Sequence, residues 1–262
     1  MTATIHPTAI VEDGAQLGDG VVIGPYATIG AEVVLGDRVE VKSHGVVTGK
    51  TTVGEETVIF SFAVVGEIPQ DLKFDGEETT LVIGKRNRIR EHATLHTGTA
   101  GGGGVTRVGD DCLLMGGCHI AHDVQLGNRI VVANHTGVAG HAIIEDDVII
   151  GGLSGIHQFV RVGRGAIIGG MTRVTRDIIP FGLVQNASGE LEGLNLIGLK
   201  RRGFSREDIS EIRAAFAALG KGEGTFMERA NRLDAESENA LVKEITAFVL
   251  ADTDRSYLVP RV

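Results

Sequence analysis

A mainly β fold, a solenoid of hexapeptide repeats closed by a helical tail, follows from three features of this 262-residue chain. Between Val108 and Val174 every sixth residue is aliphatic: Val108, Leu114, Ile120, Leu126, Val132, Val138, Ile144, Ile150, Ile156, Val162, Ile168 and Val174. The same spacing already runs through Ile5, Val11, Leu17, Ile23, Ile29, Leu35, Val41, Val47, Val53, Ile59 and Val65. Beyond Pro180 the apolar spacing becomes helical. A strict period of six fits neither the 3.6 of a helix nor a simple alternation, and short fixed periods mark β-solenoids. One repeat makes a short strand and a turn, and three repeats close a triangular coil. The aliphatic residue points inward onto its counterparts in coils stacked about 4.8 Å apart. Each coil is then stabilised mainly by its neighbours.

Taken in order, the first repeats carry Gly directly after the inward residue, as in Leu17-Gly18 and Ile23-Gly24. Continuing the register past Val65 would bury Asp71 and Glu77, and an unpaired buried carboxylate is too costly. Residues 66–80 are therefore expected outside the coil. Long loops on a rigid scaffold often carry function, which makes Asp71 and Lys73 candidates to reach over a ligand. The repeat resumes at Ile83, Ile89 and Leu95, and the segment HTGTAGGGGVTR then shifts its phase by one residue. Its Gly101–Gly104 run has no following Lys and helix, so it reads as a flexible loop rather than a phosphate cradle. The stretch GVVTGKT, Gly45 to Thr51, is one residue short of a P-loop and lies inside the coils, so it is no nucleotide motif. Pro180 ends the repeats, giving a solenoid over 1–185 and a helical region over 186–262. There Ser205 and Thr225 open box-like caps, followed by Ile209, Ile212, Phe216 and Leu219, then by Phe226, Ala230 and Leu233. A third helix holds Leu241, Ile245 and Phe248. These apolar faces pack on one another or on the end of the rod.

Composition narrows the function classes. The 38 glycines suit tight corners, and scarce aromatics with no Trp suit a thin aliphatic core. Two cysteines, Cys112 and Cys118, make no disulfide framework and favour a reducing compartment. The amino terminus lacks the pattern of a signal peptide, and no apolar run is long enough to span a membrane. A net charge of -9 argues against a general nucleic-acid binder. The expectation is a cytoplasmic protein.

Chemistry concentrates where the histidines do. All nine precede residue 158, and five fall between His119 and His157. With a coil of eighteen residues, His122 stacks over Gly140 and Asp123 over His141, and His122, His141 and His157 gather near one corner. His119 and His122 have H-x-x-H spacing beside Cys118, a set that zinc takes, although residues three apart on a strand face opposite sides. An Asp directly after His122 suits it better to orient an imidazole as general base. The backbone N–H of Gly140, unshielded by a side chain, is a candidate oxyanion donor.

The segments QDLK at Gln70, RNRIRE at Arg86, HIAHD at His119, AGH at Ala139, IHQF at Ile156 and GLKRRGFSRE at Gly198 together resemble the acyl-carrier-protein–UDP-N-acetylglucosamine O-acyltransferases of lipid A biosynthesis. The likeness covers nearly the whole chain, and GLKRRGFSRE separates it from related N-acyltransferases. It implies a left-handed parallel β-helix, an exception to the usual crossover hand. It implies a homotrimer with sites between subunits and no cofactor beyond the acyl donor on the phosphopantetheine of acyl carrier protein. By this resemblance His122 would take the proton of the sugar 3-hydroxyl, Asp123 would orient it, and Gly140 N–H would hold the oxyanion. His119, His141, His157 and Gln158 would line the cleft. Asp71, Lys73 and His96 would hold the sugar, while Asn195 and Arg201 would contact the nucleotide. Two positions depart from the family: Ile197 where a Glu is expected, and Thr97 where an Arg is expected.

An acidic carrier protein needs a positive patch on this acidic chain. Lys200, Arg201, Arg202, Arg206, Arg161, Arg164, Arg173 and Arg176 are candidates. Gly151-Gly152 and Gly169-Gly170 stack in adjacent coils as a furrow, and the family places its chain-length ruler near Gly170, with Met171 as a stop. From His122 to Gly170 is about 2.7 coils, roughly 13 Å, room for on the order of ten to fourteen carbons. Two other readings of the same fold are a zinc enzyme like the γ-type carbonic anhydrases and a non-catalytic binding solenoid.

Overall fold

The computed structural model describes residues 2–251 and 255–261. The hexapeptide period becomes a parallel β-helix of three sheets, of 11, 9 and 8 strands. Strands one coil apart pair in register eighteen residues on, as Gly137 with Gly155 and Ile144 with Val162. Each coil presents a first face with strands such as Ile149–Ile150, a second with Gly155–Ile156 and a third with Arg161–Val162. The inward residues from Ile23 onward are buried. At the open first coil the rule fails: Ile5 is 46% exposed and Val11 and Leu17 are only half-buried, because no coil lies beneath them.

The two interruptions lie outside the coil, as expected. Strands Val64–Glu67 and Thr80–Ile83 bracket the first loop, and across it the pairing spacing widens, Val58 meeting Arg88. The second spans the glycine run, after which Arg88 pairs with Leu113. In that run, read from sequence as a flexible loop, Ala100–Gly102 forms a 3-10 turn, and Gly103 and Gly104 follow at φ 93° and 77°. The corner residues after the first-face strands carry side chains at positive φ and stack as a ladder, Tyr26 on His44 on Phe62 on His92, at 5.0–5.3 Å.

The rod ends on a hairpin. Gly182–Gln185 adds to the first face and pairs antiparallel with Glu190–Leu194. Four helices follow: α1 (Leu196–Arg201), α2 (Arg206–Gly220), α3 (Phe226–Glu236) and α4 (Ala240–Leu250). Both expected capping boxes form, Ser205 with Asp208 and Thr225 with Glu228. Helix α1 was not foreseen; six residues are too few to set a period.

The tail packs both on itself and on the rod. Asp177, fully buried, accepts Arg161 N at 3.0 Å and Arg161 Nε at 2.7 Å. The Arg161 guanidinium also donates to Phe248 O and Tyr257 Oη and lies 4.5 Å over the Phe248 ring. Arg164 forks onto Glu244 of α4 and sits over Phe181. These pairs correct the expected positive patch. Arg161 and Arg164, with Arg202 donating to Asp147 O, tie the tail to the rod, whereas Lys200, Arg201, Arg206, Arg173 and Arg176 remain exposed.

Candidate active site

The corner after strand His119–Ile120 brings together the residues expected to carry chemistry. His122 Nδ1 lies 2.8 Å from Asp123 Oδ2. An ionised carboxylate only accepts, so the ring proton sits on Nδ1 and Nε2 keeps its lone pair. The Asp123 side chain is 1% exposed and that of His122 14%. Asp123 adopts φ 61°, and its backbone N donates to Thr106 Oγ1 at 2.7 Å. One coil on, Gly140 lies against the imidazole; a Cβ there would come within 2.5 Å of His122 Cε1. Among the described residues the Gly140 N–H donates to no protein group.

His141 meets His122 edge-on at 5.0 Å, stacks on Phe159 at 4.4 Å, and holds Nδ1 3.7 Å from Asp123 Oδ2. Burial is the main cause of its lowered basicity, with Asp123 opposing. The extruded loop returns to this point: Asp71, Lys73, Phe74 and Glu77 line a hollow of about 330 Å³ with His141 and Phe159.

Of the expected trio His122, His141 and His157, the first two are in ring contact. His157 is exposed on the second face, where it shares a hollow of about 620 Å³ with His119, Gly137, Gly155 and Arg173. Gln158 beside it is exposed too. The pairs in contact are His122 with His141, and His119 with His96 at 4.8 Å. His96 is buried, with no partner on Nδ1, and burial pushes it down to about 4. His119 meets Thr94 Oγ1 at 2.7 Å and is likewise lowered by burial.

His122, Asp123 and His141 hold donor atoms within 4.8 Å of one another, close enough in principle for a metal ion. The donor set fits one poorly, because Asp123 already accepts Thr99 N at 2.9 Å and Thr99 Oγ1 at 2.6 Å besides the His122 ring. Cys118 offers no thiolate: it is fully buried, and burial raises its thiol to about 12. Thr99 and Thr106 were missed from sequence. A threonine ahead of a glycine run was the only available signal.

On the first face, Asn195, Ile197, Arg201 and Arg202 border a hollow of about 590 Å³ floored by Ile149 and Ile167. The Asn195 amide is used within the chain, accepting Gly198 N to cap α1 and donating to Gly165 O. Arg201 is exposed, and Ile197, 66% exposed, puts an alkyl group where the family pattern suggested a carboxylate. Thr97 is buried against Thr79. The glycine pairs sit closer than a furrow requires: a Cβ on Gly151 would be 2.4 Å from Gly170 N, so that residue serves coil contact. Gly170 is exposed, a Cβ there would lie 3.2 Å from Gly152 O, and Met171 beside it is 70% exposed.

Comparison with known proteins agrees with this architecture. Residues 177–258 match the family model described as UDP N-acetylglucosamine O-acyltransferase, domain 2, and 14–49 and 106–140 match the bacterial transferase hexapeptide model. An acyl-[acyl-carrier-protein]–UDP-N-acetylglucosamine O-acyltransferase of Paracoccus denitrificans is 60% identical over 78% of this chain and 77% of its own. One of Rhizobium johnstonii is 45% identical over 99% and 96%. The solved UDP-N-acetylglucosamine acyltransferase of Campylobacter jejuni is 41% identical, covers 98% of this chain and 100% of its own, and superposes with a TM-score of 0.93. No helix among the described residues is long and apolar enough to cross a membrane. With its left-handed parallel β-helix and C-terminal helices, the chain belongs to the family of acyl-[acyl-carrier-protein]–UDP-N-acetylglucosamine O-acyltransferases.

Proposed function

We propose that the protein transfers a 3-hydroxyacyl group from the phosphopantetheine thiol of acyl carrier protein to the 3-hydroxyl of UDP-N-acetylglucosamine, the first step of lipid A synthesis, working in the cytoplasm. The observation that carries this is the His122–Asp123 pair with the uncommitted Gly140 N–H against the ring. His122 Nε2 takes the hydroxyl proton as the sugar oxygen attacks the thioester carbonyl. Asp123 stabilises the imidazolium, and the Gly140 N–H stabilises the tetrahedral oxyanion. Collapse expels the pantetheine thiolate, which His122 reprotonates. The sugar lies under the loop hollow of Asp71 and Lys73, with His119, His141, His157 and Gln158 along the cleft and His96 behind His119. If the protein works this way, free carrier thiol is released only when the sugar nucleotide is present; release at the same rate without it would refute transfer.

The reading includes a homotrimer. Arg201 borders a hollow on the first face, whereas His122 sits at the corner between the second and third. In this reading Arg201 serves the site of a neighbouring copy. The expected result of Arg201→Ala is a KM for the sugar nucleotide that rises more than kcat falls, since a guanidinium on the diphosphate binds ground and transition states alike. An unchanged KM would remove Arg201 from the nucleotide site.

Chain length is read at Gly170 and Met171, in this proposal. Gly170→Met fills exposed space at the corner, so preference should move toward donors several carbons shorter, measured by competition between carrier proteins of defined acyl length. An unaltered profile would place the ruler elsewhere.

A further inference from the structure

We infer that Thr99 and Gly102 form a clamp that fixes the Asp123 carboxylate for catalysis, so that the glycine-rich insertion belongs to the chemistry of the site as well as to the turn. The inference rests on the His122–Asp123 reading above and adds two positioning residues to it. Thr99 grips the carboxylate twice, its backbone N donating to Oδ1 at 2.9 Å and its hydroxyl to Oδ2 at 2.6 Å. With His122 Nδ1 on Oδ2 at 2.8 Å, both oxygens are engaged in a group that is 1% exposed. Hydrogen bonds to an ionised group are the stronger kind, and each fixes direction as well as charge. Two donors on one side leave the carboxylate a single orientation toward the imidazole, and that orientation holds the proton on Nδ1.

Gly102 closes the other face. A Cβ at 102 would fall 2.0 Å from Asp123 Cγ, 2.2 Å from Oδ2 and 2.4 Å from Oδ1. The backbone of the 3-10 turn therefore lies flat on the carboxylate, where any side chain would displace it. Its neighbours Gly101, Gly103 and Gly104 would meet nothing within 4 Å. Of the four consecutive glycines, one is demanded by contact with the catalytic carboxylate. The insertion is itself fastened to the sugar loop, Ala100 N donating to Glu77 Oε1 at 3.1 Å.

The test uses Thr99→Val, which keeps the shape and removes the hydroxyl donor. The expected result is a kcat per folded molecule lower by on the order of ten- to a hundred-fold, the weight of a charge-assisted hydrogen bond, with KM for both substrates little changed and a modest fall in melting temperature. Thr99→Ser should restore most of the rate. Gly102→Ala should lower kcat at least as far. In an Asp123→Ala background neither Thr99→Val nor Gly102→Ala should cost anything more, since both act through the missing carboxylate. Thr99→Val at the wild-type rate, or the same loss in both backgrounds, would overturn the clamp and leave the dyad standing. Asp123→Ala at the wild-type rate would overturn the dyad, and the clamp with it.

Discussion

Replacing His122 by alanine is expected to lower kcat by roughly a hundred- to ten-thousand-fold, the range for loss of a general base. The fold should be untouched. The ring points out of the aliphatic core, and its hydrogen bond within the chain goes to Asp123, which keeps both Thr99 donors in the variant. Steady-state turnover with saturating sugar nucleotide, together with melting temperature and oligomeric state, checks both halves. Turnover near wild type would end the assignment of His122 as base. A variant that is inactive because it is unfolded would melt early, and the melting curve distinguishes that case.

The largest effect on stability is expected at Asp177. Its carboxylate is fully buried and holds both the backbone N and the guanidinium of Arg161, which in turn reaches Phe248 and Tyr257 in the tail. Asp177→Ala leaves that guanidinium without its counter-charge. Breaking a buried pair from one side costs about 3–5 kcal/mol. For a chain of this size that lowers the melting temperature by roughly 6–20 °C. Calorimetry reads it directly. A shift below about 2 °C would mean that water, not Asp177, supports Arg161. Turnover per folded molecule should change far less, because the pair lies at the junction with the tail.

The solenoid is legible in sequence because its physics is local and repeated. One inward aliphatic per six residues states both the turn and the face, so Ile23, Ile120 and Val174 could be placed in the core without coordinates. The same rule stacked Gly140 on His122, since residues eighteen apart become neighbours, and capping chemistry located the starts of α2 and α3. The rule breaks where its premise does. Ile5 has no coil below it, and Thr99 meets Asp123 from twenty-four residues away across an insertion that resets the count. The roles of Arg161 and Arg164 were illegible for a related reason. Their partners in the tail lie eighty or more residues on, and only tertiary packing decides which exposed-looking arginines are tethers.

The central claim is transfer to the sugar 3-oxygen at the His122–Asp123 corner. The most direct measurement is to incubate the protein with UDP-N-acetylglucosamine and 3-hydroxyacyl carrier protein, then locate the new acyl group by NMR and mass spectrometry. The account predicts a 3-O-ester with the N-acetyl group intact, formed by the wild-type protein and nearly absent with His122→Ala. An acyl group at another position, no transfer, or equal product from the variant would contradict it.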